Sequence, residues 1–188
     1  MSARTSLVTG GTGGLGTGVV QLLLERGDRV VVPWLDASEA EALRGRLPDD
    51  AEVELVEADV TDPARVRELA HHLEEQGGLD VLLNLVGGFT MAPLEETEPE
   101  DWTRMMELNA RSAFLVTRAM APLLRRSGRG AVVNVASAPA ARGGGGGMAA
   151  YVTSKGAVIS LTRALAEELK VDGITVNAVA PTTIRTEA

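Results

Sequence analysis

The chain has 188 residues, 45% hydrophobic and 23% charged, with a net charge of −8 and no cysteine. That length suffices for one domain with a substantial core, and the composition is ordinary for a globular protein. The acidic balance argues against a nucleic-acid binder, and the missing thiols exclude disulfides, thiolate chemistry and Cys-type zinc sites.

The opening MSARTSLVTGG has no apolar stretch of signal-peptide length before its glycines. No apolar run approaches the ~20 residues that span a bilayer, so no membrane association is expected and the cytoplasm is the expected location. SLVTG (Ser6–Gly10) then reads as a strand and Gly14–Gly27 as a helix closed by glycine. RVVVP is a second strand, SEAEALRGRL a helix and VELVEADV a third strand. The next helix begins at Asp62 as N-cap with Pro63 in its first position. It carries the two histidines, His71 and His72, whose side chains diverge by about 100° on a helix and read as solvated surface. LDVLLNLVGG is a fourth strand, 100–128 one long helix and GAVVNVAS a fifth strand. After the glycine run RGGGGGM come a helix over 149–169 and a sixth strand, GITVNAVAP.

Most of these strands are continuous apolar runs, so both faces should be buried. Alternating strands and helices predict a Rossmann-like α/β fold: a doubly wound parallel sheet of about six strands with helices on both faces. Residues 1–188 are expected to form a single domain.

Two motifs carry chemistry. Behind Thr9, residues Gly10, Gly14 and Gly16 have a T-G-x-x-x-G-x-G spacing between the first strand and first helix. A pyrophosphate can rest there against free N–H groups at a helix N-terminus. The only tyrosine, Tyr151, stands four residues before Lys155, one of two lysines. At i and i+4 they share a helix face.

With these motifs in place the chain resembles the short-chain dehydrogenase/reductase family from Ser6 onward. The family's glycine turn matches Thr9, Gly10, Gly14 and Gly16, and its D-V pair after the third strand matches Asp59–Val60. Its N-N-A-G motif matches Asn84 and Gly87, with Leu85 and Val86 departing from the pattern. Asn109, Ser137 and the Y-x-x-x-K pair Tyr151/Lys155 match the catalytic tetrad, with Ser154 just before the lysine. Pro181–Thr182 stands where the family has P-G.

The resemblance implies that Gly10, Thr12, Gly14, Leu15 and Gly16 hold the cofactor's phosphates. Asp36, Asp59 and Val60 would flank its adenosine, and Asn84, Gly87, Pro181 and Ile184 the nicotinamide half. Tyr151 would be the general acid in carbonyl reduction and the general base in alcohol oxidation. An ordinary phenol holds its proton up to ~10, and a nearby ammonium stabilises the phenolate. Ser137 would donate to the substrate oxygen; Lys155 would also hold the nicotinamide ribose, and Asn109 would position a relaying water. The alternative readings are a strand-end serine with a local bond for Ser137, a structural asparagine for Asn109 and a loop cap for Asp59; the resemblance favours catalysis for the first two and an adenine contact for the third.

NAD(H) is favoured over NADP(H). Asp36 follows the second strand, and Gly13 and Leu35 stand where phosphate-binding relatives tend to carry arginine. Phe89, Met91 and Met148 suggest an apolar-leaning site for a small carbonyl or alcohol. A homo-oligomer through the helices 101–125 and 151–169 is expected. The alternative function is a non-catalytic dinucleotide-binding regulator or scaffold. Family members continue through a substrate-covering segment and a seventh strand not present here, so the chain is expected to be part of a longer protein, binding dinucleotide but turning over slowly.

Overall fold

The computed structural model describes residues 3–185. Its elements run β1 (Thr5–Thr9), α1 (Gly14–Glu25), β2 (Arg29–Trp34), α2 (Ala37–Arg44), β3 (Val53–Glu57), α3 (Pro63–Glu75) and β4 (Val81–Asn84). They continue with α4 (Pro99–Met105), a π-helical turn (Met106–Arg111), α5 (Ser112–Ser127), β5 (Ala131–Val135), α6 (Ala138–Arg142), α7 (Ala149–Leu169) and β6 (Thr175–Val179). The strands form one six-stranded sheet in the order β3-β2-β1-β4-β5-β6, and every pair is parallel.

Consecutive strand residues point to opposite faces, and here each face meets its own apolar layer. Leu7, Val31, Leu82 and Val132 pack with Leu69 and Leu73 of α3 and Val116, Met120 and Leu124 of α5. Val8, Val30 and Val32 pack on the other side with Val20 and Leu23 of α1 and Leu43 of α2. This is why the strands read as unbroken apolar runs.

The strand order reverses between β1 and β4, which pair with Thr9 opposite Asn84. At such a switch point the chain leaves neighbouring strands in opposite directions and a crevice opens beyond their carboxyl ends. Both the glycine turn after β1 and the NLVG segment after β4 empty into it.

Local chemistry explains where the elements stop. Asp62 caps α3 by accepting from the Ala64 N–H at 2.7 Å, as its place before Pro63 predicts. The third strand ends at Glu57, short of the expected Val60. There Asp59 accepts from both the N–H and the hydroxyl of Thr61, at 2.8 and 2.7 Å, and turns the chain.

Two further differences bear on function. The helix expected over 100–128 is interrupted by the π-helical turn, which widens the coil around Asn109 and leaves that side chain only 2% exposed. After β5, Ser137 caps a short helix, α6, where no helix was expected.

Candidate active site

Two cavities are lined by segments that follow the carboxyl ends of the strands. The first, about 780 Å³, opens between the glycine turn, the β2–α2 junction and the segments after β3 and β4. Gly10 has φ +68 there, and a Cβ on it would stand 2.8 Å from the Val86 backbone nitrogen. Only glycine permits both the conformation and the approach. The turn is tied to β4 by the Leu85 N–H, which donates to the Thr9 carbonyl at 3.1 Å and to its hydroxyl at 3.2 Å.

Gly13 is the N-cap of α1, so no side chain caps that terminus, and the first turn carries no acid. Its backbone donors are left for an anion. Gly13 lines the cavity, together with Thr12 and Gly87. These features fit a dinucleotide pyrophosphate.

The wall of the cavity at the β2–α2 junction is acidic. Asp36 caps α2, and the Ser38 hydroxyl and N–H hold its carboxyl below the usual carboxylate range. Glu39, which the motifs did not single out, lies across from the turn and accepts from the Thr12 hydroxyl at 2.8 Å. Asp59 and Val60 line the same wall, and Asp59 also caps its own turn. Its two readings from the sequence are therefore compatible.

The second cavity, about 900 Å³, is lined by Ser137, Tyr151, Phe89, Met148, Pro181 and Ile184, among others. Tyr151 meets the edge of Phe89 with ring centroids 4.9 Å apart and an interplanar angle of 75°. That contact limits where the phenol can swing. Ser137 is buried, and its oxygen accepts from the Ala140 N–H at 3.4 Å. Its hydroxyl proton is not used by that bond and is available for donation.

Lys155 and Asn109 pack over Gly87, which lines the first cavity. A Cβ built on Gly87 would come within 2.5 Å of Asn109 Oδ1 and 3.1 Å of Lys155 Nζ. Lys155 is 5% exposed and donates to the Val135 carbonyl at 2.8 Å. Burial pushes its ammonium down to about 8. The Asn109 side chain accepts from the Gly88 N–H at 3.0 Å and donates to the Gly88 carbonyl at 3.1 Å. It also donates to the Ser154 hydroxyl at 2.9 Å, which in turn donates to the Tyr151 carbonyl at 2.8 Å. The π-helical turn thus ties the loop after β4 to the helix of Tyr151 and Lys155.

The fold therefore gathers Gly10, Thr12, Asp36, Asp59, Val60 and Gly87 around one cavity and Ser137, Tyr151, Pro181 and Ile184 around the other. Gly14, Leu15 and Gly16 form the first turn of α1 instead of the cavity wall. Gly16 packs so closely that a Cβ would lie 2.0 Å from the Gly10 carbonyl oxygen. Asn84 points into the sheet interior, donating to Asn134 Oδ1 at 2.9 Å and the Thr117 hydroxyl at 3.0 Å. Val86 and Arg142, which no motif singles out, also line the first and the second cavity respectively. Glu39 has no motif of its own; as the N3 residue after the Asp36 cap it reads as a capping-box acid.

The sequence profile of the family described as short chain dehydrogenase matches residues 4–188. A rhamnolipids biosynthesis 3-oxoacyl-[acyl-carrier-protein] reductase of Pseudomonas aeruginosa is 36% identical over 186 residues, covering 96% of this chain and 73% of that protein. A D-threitol dehydrogenase of Mycolicibacterium smegmatis is 33% identical, covering 100% of this chain and 72% of that protein. A crystal structure of a short-chain dehydrogenase from Streptomyces avermitilis superposes with a TM-score of 0.90 at 32% identity, covering 99% of this chain and 68% of that one.

Proposed function

The chain belongs to the short-chain dehydrogenase/reductase family, and from that premise we propose that it interconverts a small carbonyl compound and its secondary alcohol with NAD(H), using Tyr151 as general acid and base. The observation that carries this reading is the pairing of Tyr151 and Ser137 on one cavity with a buried Lys155 one helical turn from Tyr151 and packed against Gly87, which lines the other cavity. A nicotinamide dinucleotide, when bound, supplies the redox half of the chemistry.

The remaining work falls to the protein. In reduction, the Tyr151 phenol donates its proton to the carbonyl oxygen; in oxidation it takes the proton of the alcohol. The Ser137 hydroxyl donates to the same oxygen and supports the charge that develops there. Lys155 spends one of its three donors on the Val135 carbonyl. The others serve the cofactor's ribose. Asn109 acts by holding Gly88 and, through Ser154, the backbone of Tyr151. Gly10, Thr12, Gly87, Pro181 and Ile184 line the cavities that would hold the cofactor, and Gly14, Leu15 and Gly16 would serve it through the first turn of α1 in this reading.

The preference for NAD(H) is supported by charge. Among the described residues lining the first cavity are three carboxylates, Asp36, Glu39 and Asp59, and no lysine or arginine. A 2′-phosphate there would meet repulsion with no compensating cation. The half-exposed Phe114 of α5 and Trp102 of α4 support self-association through the 101–125 and 151–169 helices.

A hydride-transfer assay over a panel of ketones and secondary alcohols with both cofactors tests the proposal. Tyr151→Phe should abolish turnover while dinucleotide affinity stays nearly constant, because the ring remains and only the exchangeable proton is lost. Activity of that variant above about a few per cent of wild type would refute the assigned role. Tight dinucleotide binding without turnover of any substrate would favour a regulatory protein instead.

A further inference from the structure

Resting on the placement of Tyr151 and Ser137 at the reacting oxygen, we propose that Arg142 binds a carboxylate on the substrate, making the protein selective for oxo acids and hydroxy acids over neutral ketones and alcohols. Among the described residues that line the second cavity, Arg142 is the one charged side chain. It makes no hydrogen bond or ion pair with any described residue.

The contrast with the rest of the chain carries the inference. The protein has 26 acidic against 18 basic lysine and arginine residues, and its first cavity is walled by carboxylates. A surface of that sign repels anions, yet the pocket of Tyr151 and Ser137 contains no acid among its described lining residues and one exposed guanidinium. Phe89, Met148 and Ile184 give the remaining wall its apolar part, beside the neutral Thr182 and Thr183. That combination suits a short hydrocarbon segment with an oxygen at one end and a monoanion at the other.

Geometry sets the scale. Ser137 caps α6 and Arg142 is its last residue. Five residues of helix separate their backbones by roughly 7 Å. A single guanidinium matches one carboxylate in bidentate fashion. With no second cation among the described lining residues, a monoanion fits better than a dianion.

The test compares pyruvate, acetoacetate and levulinate with their methyl esters, which keep the ketone and remove the charge. Wild type should favour at least one acid over its ester in kcat/KM. In Arg142→Gln that acid-to-ester ratio should fall by roughly ten- to a hundredfold, mostly through KM, with partial recovery in Arg142→Lys. Equal treatment of acids and esters by wild type, or an unchanged ratio in Arg142→Gln, would overturn the proposal. Calorimetric binding of the same acids to Tyr151→Phe, with and without Arg142→Gln, separates the two ideas. Binding that depends on Arg142 without turnover in wild type would support the carboxylate site and refute the activity. The absence of Arg142-dependent binding would refute the carboxylate site whatever the activity.

Discussion

The Lys155 ammonium donates to the Val135 carbonyl at 2.8 Å from a position only 5% exposed. Burial pushes the group down to about 8 from an ordinary value of 10.5. Between those values the unfolded chain holds a proton that the folded chain has released, so folding is favoured as pH rises through this window. Below about 8 the full cost of burying the ammonium is present. The stability difference between wild type and Lys155→Met should therefore move in favour of wild type by about 3 kcal/mol across the window. Urea titrations at several pH values check this; a pH-independent difference would refute it.

The same titration should appear in cofactor binding. The protonated side chain is the better donor to ribose hydroxyls, so dinucleotide affinity should decline as pH rises past about 8. Lys155→Met should bind weakly with no such decline. Calorimetry at fixed ionic strength reads both, and a pH-flat wild type would contradict the ribose contact.

Gly87→Ala should damage the site although it adds one methyl group. The new Cβ would be 2.5 Å from Asn109 Oδ1 and 3.1 Å from Lys155 Nζ, and Asn109 is held on both sides by Gly88. Overpacking of this kind costs about 1–3 kcal/mol. A lower melting temperature together with weaker dinucleotide binding is expected; wild-type values in both would show that the Asn109 clamp yields freely.

Two glycines of α1 should respond in opposite directions. At Gly16 a Cβ would lie 2.0 Å from the Gly10 carbonyl oxygen, whereas at Gly18 it meets nothing within 4 Å. Gly16→Ala should prevent the glycine turn from closing on α1 and lower the yield of folded protein. Gly18→Ala should stabilise the helix by about 0.5–1 kcal/mol. Thermal unfolding of the two variants decides between them.

Leu35→Arg combined with Asp36→Ser should move the cofactor preference toward NADP(H). The serine keeps an oxygen that can cap α2 while removing the charge now held low by Ser38. The arginine supplies a partner for the 2′-phosphate. We expect the kcat/KM ratio for NADPH over NADH to rise at least about tenfold. An unchanged ratio would show that selection is made elsewhere in the cavity.

Asn84→Ala should cost more stability than dinucleotide affinity. Its amide joins β4 to Asn134 of β5 and Thr117 of α5 inside the sheet. Removing it leaves the buried oxygens of Asn134 and Thr117 short of a donor, at about 2–4 kcal/mol. Comparable losses in both measurements would instead place Asn84 at the cofactor.

Much of this was legible before any coordinates. Strand and helix order, the Asp62–Pro63 start of α3 and the glycine end of α1 are local signals, written by β-branched runs, caps and left-handed glycines such as Gly27 at φ +77. The glycine turn and the Tyr151/Lys155 pair were legible for the same reason, since each motif lies within a few residues of one element. Contacts between distant segments were not. That Asn84 faces Asn134, that Glu39 meets Thr12, and that the chain widens into a π-helical turn around Asn109 depend on which strands become neighbours.

The sequence by itself determined the parallel α/β architecture, the glycine turn after β1 and, through the family resemblance, the residues fit for proton transfer. Continuous apolar runs alternating with helical patterns, and i to i+4 spacing, are properties of the chain alone. Only the tertiary structure decided that Arg142 enters the Tyr151 cavity, that Lys155 is buried deeply enough to lose most of its hydration, and that Gly87 separates it from Asn109 with no room for a side chain. Those are facts of desolvation and close packing, set by the elements that surround a residue and not by the residues beside it in the chain.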